Sequence, residues 1–173
     1  MIEDKRIYFE ESTRDLLKRL DEMQLDKISR IRAKNFTRAI RDAMTKTYVQ
    51  TQTFNIFPHL CDLNYPSLGF CRVSSLAFIN LMSEHNILND EWDLYAVSNE
   101  SLYHHFLKHI PDNIVFDLTF DQFTVDGITV PYDIAHKTDI GLLNNQDPLI
   151  SFYNASGFDN FKPLVLPPLK DRY

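Results

Sequence analysis

Hydrophobic residues recur at a helical period through most of the first fifty positions. The pattern lapses, returns for one more segment after Gly69, and then gives way to short aromatic and β-branched runs cut by turn residues. That change of period is the strongest constraint on the fold. A 3.6-residue stripe does not sit still as a strand, and a two-residue alternation does not sit still as a helix. The pattern predicts an α+β protein with its helices gathered first and an antiparallel meander after them.

The segments can be placed in turn. Ser12-Thr13-Arg14-Asp15 reads as a capping box, with Asp at its last position, ahead of Leu16, Leu17, Leu20 and Met23, so a first helix is expected over about 13–23. From Leu25 to about Tyr48 the period is again helical. It sets Ile28, Phe36, Ala39, Ile40, Ala43 and Thr47 on one side and Lys27, Arg30, Lys34, Arg38 and Arg41 on the other. Residues 50–70, with Pro58, Asn64, Pro66 and Gly69, read as an irregular connection into a helix over about 71–84. Strands are expected at Trp92–Val97, Leu102–Lys108 and Ile114–Thr119, with weaker strand signals at Gly127–Val130 and Leu149–Tyr153. Residues 162–168 hold three prolines and read as an extended tail.

At 173 residues, with 44% hydrophobic content, the chain suits one buried core better than two. Residues 1–50 read as a helical extension packed on the same domain as a cysteine-bearing α+β body, residues 51–173. The opening residues lack the basic start and apolar run of a secretory signal. No stretch approaches the roughly 18 apolar residues of a membrane span. A cytoplasmic protein is the expectation, with Cys61 and Cys71 reduced.

The net charge of −6 is unevenly spread: residues 1–50 are positive by 3 and residues 51–173 negative by 9. An acidic body argues against nucleic acid, whose binders present a positive surface to the phosphates. The basic stripe on the second helix is first of all a solvated face. Its sharper reading is a docking surface for an acidic protein partner, an anionic membrane or a nucleic acid.

Chemistry concentrates at Cys71, His104 and Asp117, in that chain order. A free thiol titrates near pH ~8.5, so a nucleophilic cysteine needs a helix N-terminus or an imidazolium to favour its thiolate. Cys71 is expected at such a helix start, His104 on a strand, and Asp117 on the next strand beyond a turn at Pro111-Asp112-Asn113. Strand alternation puts His104 and Phe106 on one face and His105 on the other, so only one of the two histidines can face the thiol. His104 is preferred and His105 is the alternative.

These residues resemble the papain-like proteins of the transglutaminase-like group. Members have a cysteine that opens a helix, then a histidine in a His-x-aromatic context, then an aspartate in an Asp-x-Thr context. The matching text is Gly69-Phe70-Cys71, His104-His105-Phe106-Leu107 and Asp117-Leu118-Thr119-Phe120-Asp121-Gln122-Phe123, and the last is similar to bacterial and phage members. The resemblance spans about residues 64–123. It implies a helix packed on an antiparallel sheet and a thiol enzyme with Cys71 as nucleophile, His104 as base and Asp117 as orienting group. The reaction implied is a peptidase, amidase, deamidase or transglutaminase reaction on a protein or peptide substrate, with no cofactor.

One departure concerns the oxyanion. The glutamine that papain carries six residues before its cysteine is Tyr65 here, leaving Asn64 or Gln52 as weak substitutes. Gln122 reads as fixing the backbone near Asp117. Trp92, Phe106, Phe116, Phe120 and Phe123 read as core, Trp92 also as a candidate wall of the substrate cleft, and Asp121 and Asp126 as solvated turn residues. His104, His105, His109, Cys71 and Asp117 lack the close spacings of zinc ligands, so no metal is expected. A non-catalytic interaction module on the same scaffold, working through the basic helix 27–46 or the acidic body, is the competing functional class.

Overall fold

The computed structural model describes residues 5–61, 65–83, 91–138 and 147–158. Within these, four helices come first: α1 Lys5–Asp21, α2 Lys27–Met44, α3 Thr47–Phe54 and α4 Cys71–Met82. Strands β1 Trp92–Ser98, β2 Tyr103–His109 and β3 Ile114–Phe116 follow, then the short α5 Asp121–Thr124, β4 His136–Lys137 and α6 Asp147–Ser156. The strands form one antiparallel sheet in the order β3-β2-β1-β4, with Val97 opposite His104 and Leu107 opposite Phe116. The protein is therefore α+β.

Several boundaries differ from the sequence expectation for local reasons. Ser12 and Thr13 do not start α1; they lie inside it, and their hydroxyls donate back to the Phe9 carbonyl at 2.7 and 3.0 Å. Helix α2 starts where Asp26 accepts the Ser29 N–H at 2.8 Å. The helix expected to run to about Tyr48 breaks at Thr45 and Lys46 and resumes as α3, which ends at Asn55 in the left-handed conformation.

Leu149–Tyr153 is not a strand. It belongs to α6, whose Leu149, Phe152 and Tyr153 are buried at helical spacing. A five-residue apolar run does not distinguish the two periods. Gly127–Val130 forms no strand either, whereas β4, a two-residue bridge of His and Lys, carries no strand signal. Residues 162–168 lie outside the described residues.

Apolar side chains of α1, α2, α3, α4, the sheet and α6 share one core, from Phe9 and Leu20 through Ile40, Phe78 and Trp92 to Phe152. Trp92 is inside it, edge-on to Phe78 at 4.9 Å, and does not wall a cleft.

The buried arc of α2 is Ala33, Thr37, Ile40, Arg41, Ala43 and Met44, rotated from the expected one; Ile28 is 69% exposed. The rotation brings Arg41 inside, at 1% exposure. Its guanidinium donates to the Thr13 hydroxyl at 3.0 Å, the Phe9 carbonyl at 2.8 Å, the Leu118 carbonyl at 2.8 Å and the Ser12 hydroxyl. It pairs with Asp121 at 2.7 Å and lies over the Phe9 ring. Asp121 is therefore a buried counter-ion and not a solvated turn residue, while Asp126 is exposed.

Two more members of the expected outer stripe work inside the molecule. Arg30 donates to the Met23 and Leu25 carbonyls at 3.0 Å each, in the connection between α1 and α2, and Lys34 pairs with Asp21 at 2.7 Å.

Removing one partner of a buried ion pair strands the other, at a cost of about 3–5 kcal/mol. Arg41→Met is expected to lose about that much unfolding free energy in urea titration, while Arg38→Met on the exposed face changes it by under about 0.5 kcal/mol. Equal, small losses for the two would contradict this placement of Arg41.

Candidate active site

Cys71 is the first residue of α4 and is half-buried and reduced. The chain reaches it through a turn in which the Phe70 N–H donates to Ser67 O at 3.1 Å and Gly69 takes φ +82°. A Cβ at Gly69 would meet only Phe54, at 3.7 Å, so the backbone conformation is what requires glycine there. The Ser74 N–H closes the first helical turn on Phe70 O at 2.8 Å. Among the described residues the Cys71 N–H has no acceptor, as expected of a first-turn amide at the positive end of the helix dipole.

Strand β2 supplies His104, completely buried. Its Nε2–H donates to Asp117 Oδ2 at 2.6 Å, and the edge of Phe123 packs on its ring at 4.6 Å between centroids. Burial works against an imidazolium here. The Asp117 charge and hydrogen bond outweigh it, with a smaller contribution from hydrogen bonding and charge at Cys71, and the His104 pKa rises to about 9. At neutral pH the ring is an imidazolium between a carboxylate and the thiol.

Asp117 lies just past the end of β3, not within the strand. Its Oδ1 accepts the Thr119 N–H at 3.1 Å, which turns the chain out of the sheet after three paired residues. Its Oδ2 also accepts the Tyr132 hydroxyl at 2.8 Å. Burial, then Asp117, raises the Tyr132 pKa, so the phenol remains a donor throughout the ordinary pH range.

Gln122 bridges the two loops. It accepts the Gly69 N–H at 3.3 Å, donates to Thr119 Oγ1 at 2.9 Å and stands 3.5 Å from His104 Nδ1. Ser67 donates to Asp121 Oδ2 at 2.9 Å, so the Arg41–Asp121 pair also holds the turn ahead of Cys71.

The three candidate residues are thus brought together, with His104 rather than His105 toward Asp117. Of the candidate oxyanion side chains, Gln52 is exposed on α3 and Asn64 lies outside the described residues. Tyr65 donates to Asp126 at 3.3 Å. Among the described residues no group of three His, Cys, Asp or Glu could hold a metal, and His109 is engaged with Asp112 at 2.9 Å. A cavity of about 420 Å³ lies between α1 and the outer side of Asp117, lined by Arg19, Val115, Phe120 and Tyr132 among others. Cys71 does not line it.

Sequence reasoning missed Arg41, Ser67 and Tyr132. Arg41 carried a signal, since the arc Ala33, Thr37, Ile40, Met44 is consistent only if an arginine is accepted beside it. Ser67 and Tyr132 carried none, being unremarkable polar residues in loops. No protein-family model, curated protein or solved structure matches the chain.

The geometry fixes a pH dependence. Folded His104 holds its proton up to about 9, whereas an unfolded histidine releases it near 6.5, so the pair's stabilisation is complete below pH 6.5 and is lost as pH rises through 9. Histidine NMR should find one ring titrating near 9 in the wild type. In Asp117→Asn that value should fall by more than about one unit. A His104 that titrates near its ordinary value in both proteins would contradict the ion pair.

Proposed function

We propose that the protein is a thiol-dependent acyl-transfer enzyme, with Cys71 as nucleophile, His104 as general acid and base and Asp117 as the group that orients and charges the imidazole. The observation that carries this reading is the buried His104–Asp117 contact of 2.6 Å, with Cys71 among the groups that interact with the same imidazole. A buried, charged imidazole is a costly arrangement for a fold to keep without use, and perturbed titrating groups of this kind concentrate at functional sites. The papain-like and transglutaminase-like resemblance of the Cys71, His104 and Asp117 segments agrees with it. So does a cysteine-bearing helix against an antiparallel sheet.

In this reading the Cys71 thiolate adds to the carbonyl carbon of a peptide or amide, and the oxyanion takes the free N–H at the start of α4. His104 gives its proton to the leaving amine as the carbon–nitrogen bond breaks, leaving a thioester on Cys71. The neutral imidazole then takes a proton from water or from an acceptor amine, which attacks the thioester and expels the Cys71 thiolate, restoring the thiolate–imidazolium pair. Hydrolysis makes the protein a peptidase, amidase or deamidase; transfer to an amine makes it a transglutaminase. Protein or peptide substrates are the natural donors.

The competing class, a binding module working through the basic face of α2, has less to work with than the sequence suggested. Arg41 is buried, and Arg30 and Lys34 are engaged within the molecule.

Iodoacetamide at neutral pH tests the reading. Cys71 should alkylate at least about tenfold faster than Cys61, and His104→Ala should bring the two rates together. Equal rates in the wild type would sink the proposal and favour the binding module.

A further inference from the structure

The first turn of α4 straddles β2. Cys71 meets His104 on one face of the strand, and the next residue, Arg72, meets His105 on the other, its Nη1 lying 3.2 Å from His105 Nε2. Tyr103, on the same face as His105, stacks edge-on to it at 5.0 Å with its hydroxyl 3.5 Å from the same nitrogen, and it is 68% exposed. Across the sheet Ala96 pairs with both His105 and His136, which sets those two imidazoles in one row on one face. The group is a half-buried guanidinium, two imidazoles and an exposed phenol, its guanidinium borne by the residue that follows Cys71 on α4.

Arg72 forms no ion pair with a carboxylate among the described residues. That runs against the composition around it, because residues 51–173 hold 15 acidic side chains and only 6 basic ones. An arginine that pairs with no carboxylate among the described residues, and is instead held by a histidine, has donors left over. His105 suits the holding role. Burial, and then Arg72, His104 and His136, depress its pKa to about 4, so at neutral pH it is an uncharged acceptor for the guanidinium.

We propose that Arg72, set by His105 and rimmed by Tyr103, is an anion subsite beside Cys71, and that the acyl substrate carries a carboxylate there. This deepens the thiol-enzyme reading and rests on it. The planar fork of the guanidinium matches a carboxylate edge-on, which a lysine cannot do. The acidic body repels an anionic substrate everywhere else, so the subsite contributes orientation as well as attraction.

Two alkylating reagents of nearly equal size test the subsite, iodoacetate and iodoacetamide, with adducts at Cys71 and Cys61 quantified by mass spectrometry. Both consume the same thiolate, so the ratio of their rates at Cys71 cancels any change in thiolate fraction. In low salt the iodoacetate-to-iodoacetamide ratio at Cys71 should be about tenfold higher in the wild type than in Arg72→Met, a loss typical of one charged hydrogen-bonded contact. Arg72→Lys, keeping the charge without the fork, should fall between them, and 1 M salt should collapse the difference. Fast alkylation by both reagents with a ratio unchanged in both Arg72 variants overturns the subsite alone. Slow alkylation by both, at the rate of Cys61, overturns the thiol-enzyme reading itself.

Discussion

The guanidinium of Arg41 ties together, at one buried point, three parts of the chain that are distant in sequence. It reaches α1 through Phe9, Ser12 and Thr13, the turn after β3 through Leu118 and Asp121, and, by way of Asp121, Ser67 in the turn before Cys71. The last two are the segments that carry Asp117 and lead into Cys71. Desolvating an arginine and an aspartate costs several kcal/mol per ion, recovered only when geometry is good and the remaining donors are satisfied. Here all three guanidinium nitrogens have oxygen acceptors. An apolar replacement could match the pair in stability, but it would not specify where the two loops stop. The helical front of the protein is therefore part of what positions Asp117 and the turn before Cys71.

Around that anchor the site is a lesson in how neighbouring residues acquire opposite electrostatics. His104 and His105 are adjacent, both buried, and both penalised by burial as cations. Asp117 reverses the penalty for His104 and lifts it to about 9, while Arg72, His104 and His136 add to it for His105 and push it to about 4. Strand alternation does the sorting, since it gives each imidazole a different set of neighbours. One ring becomes a charged partner of Asp117 and the other an uncharged neighbour of the Arg72 guanidinium.

The change of hydrophobic period was enough to read the α+β class, the helix that begins at Cys71 and the β1–β2–β3 meander, while alternation put His104 and His105 on opposite faces. These are local or alternation-based properties, and side-chain period reports them directly. The failures have different causes. Leu149–Tyr153 is too short for its period to be decided, and its helix is selected by packing of Phe152 and Tyr153 in the core. The face of α2 was mistaken because hydropathy places arginine outside, whereas Arg41 brings its own acceptors with it from distant segments. Asp121 was read as solvated for the same reason. Tyr132 meets Asp117 from fifteen residues away, through a turn with no periodic signal.

The most direct trial of the account is to offer the protein an activated ester, p-nitrophenyl acetate, quench in acid and locate the acetyl group by peptide mass mapping. The account predicts an acetyl-thioester on Cys71 in the wild type and, without the imidazole, a loss of about 10²-fold or more in its rate of formation in His104→Ala. An acetyl group absent from Cys71, or formed there as fast without His104 as with it, would contradict the claim that these residues act as one nucleophilic site.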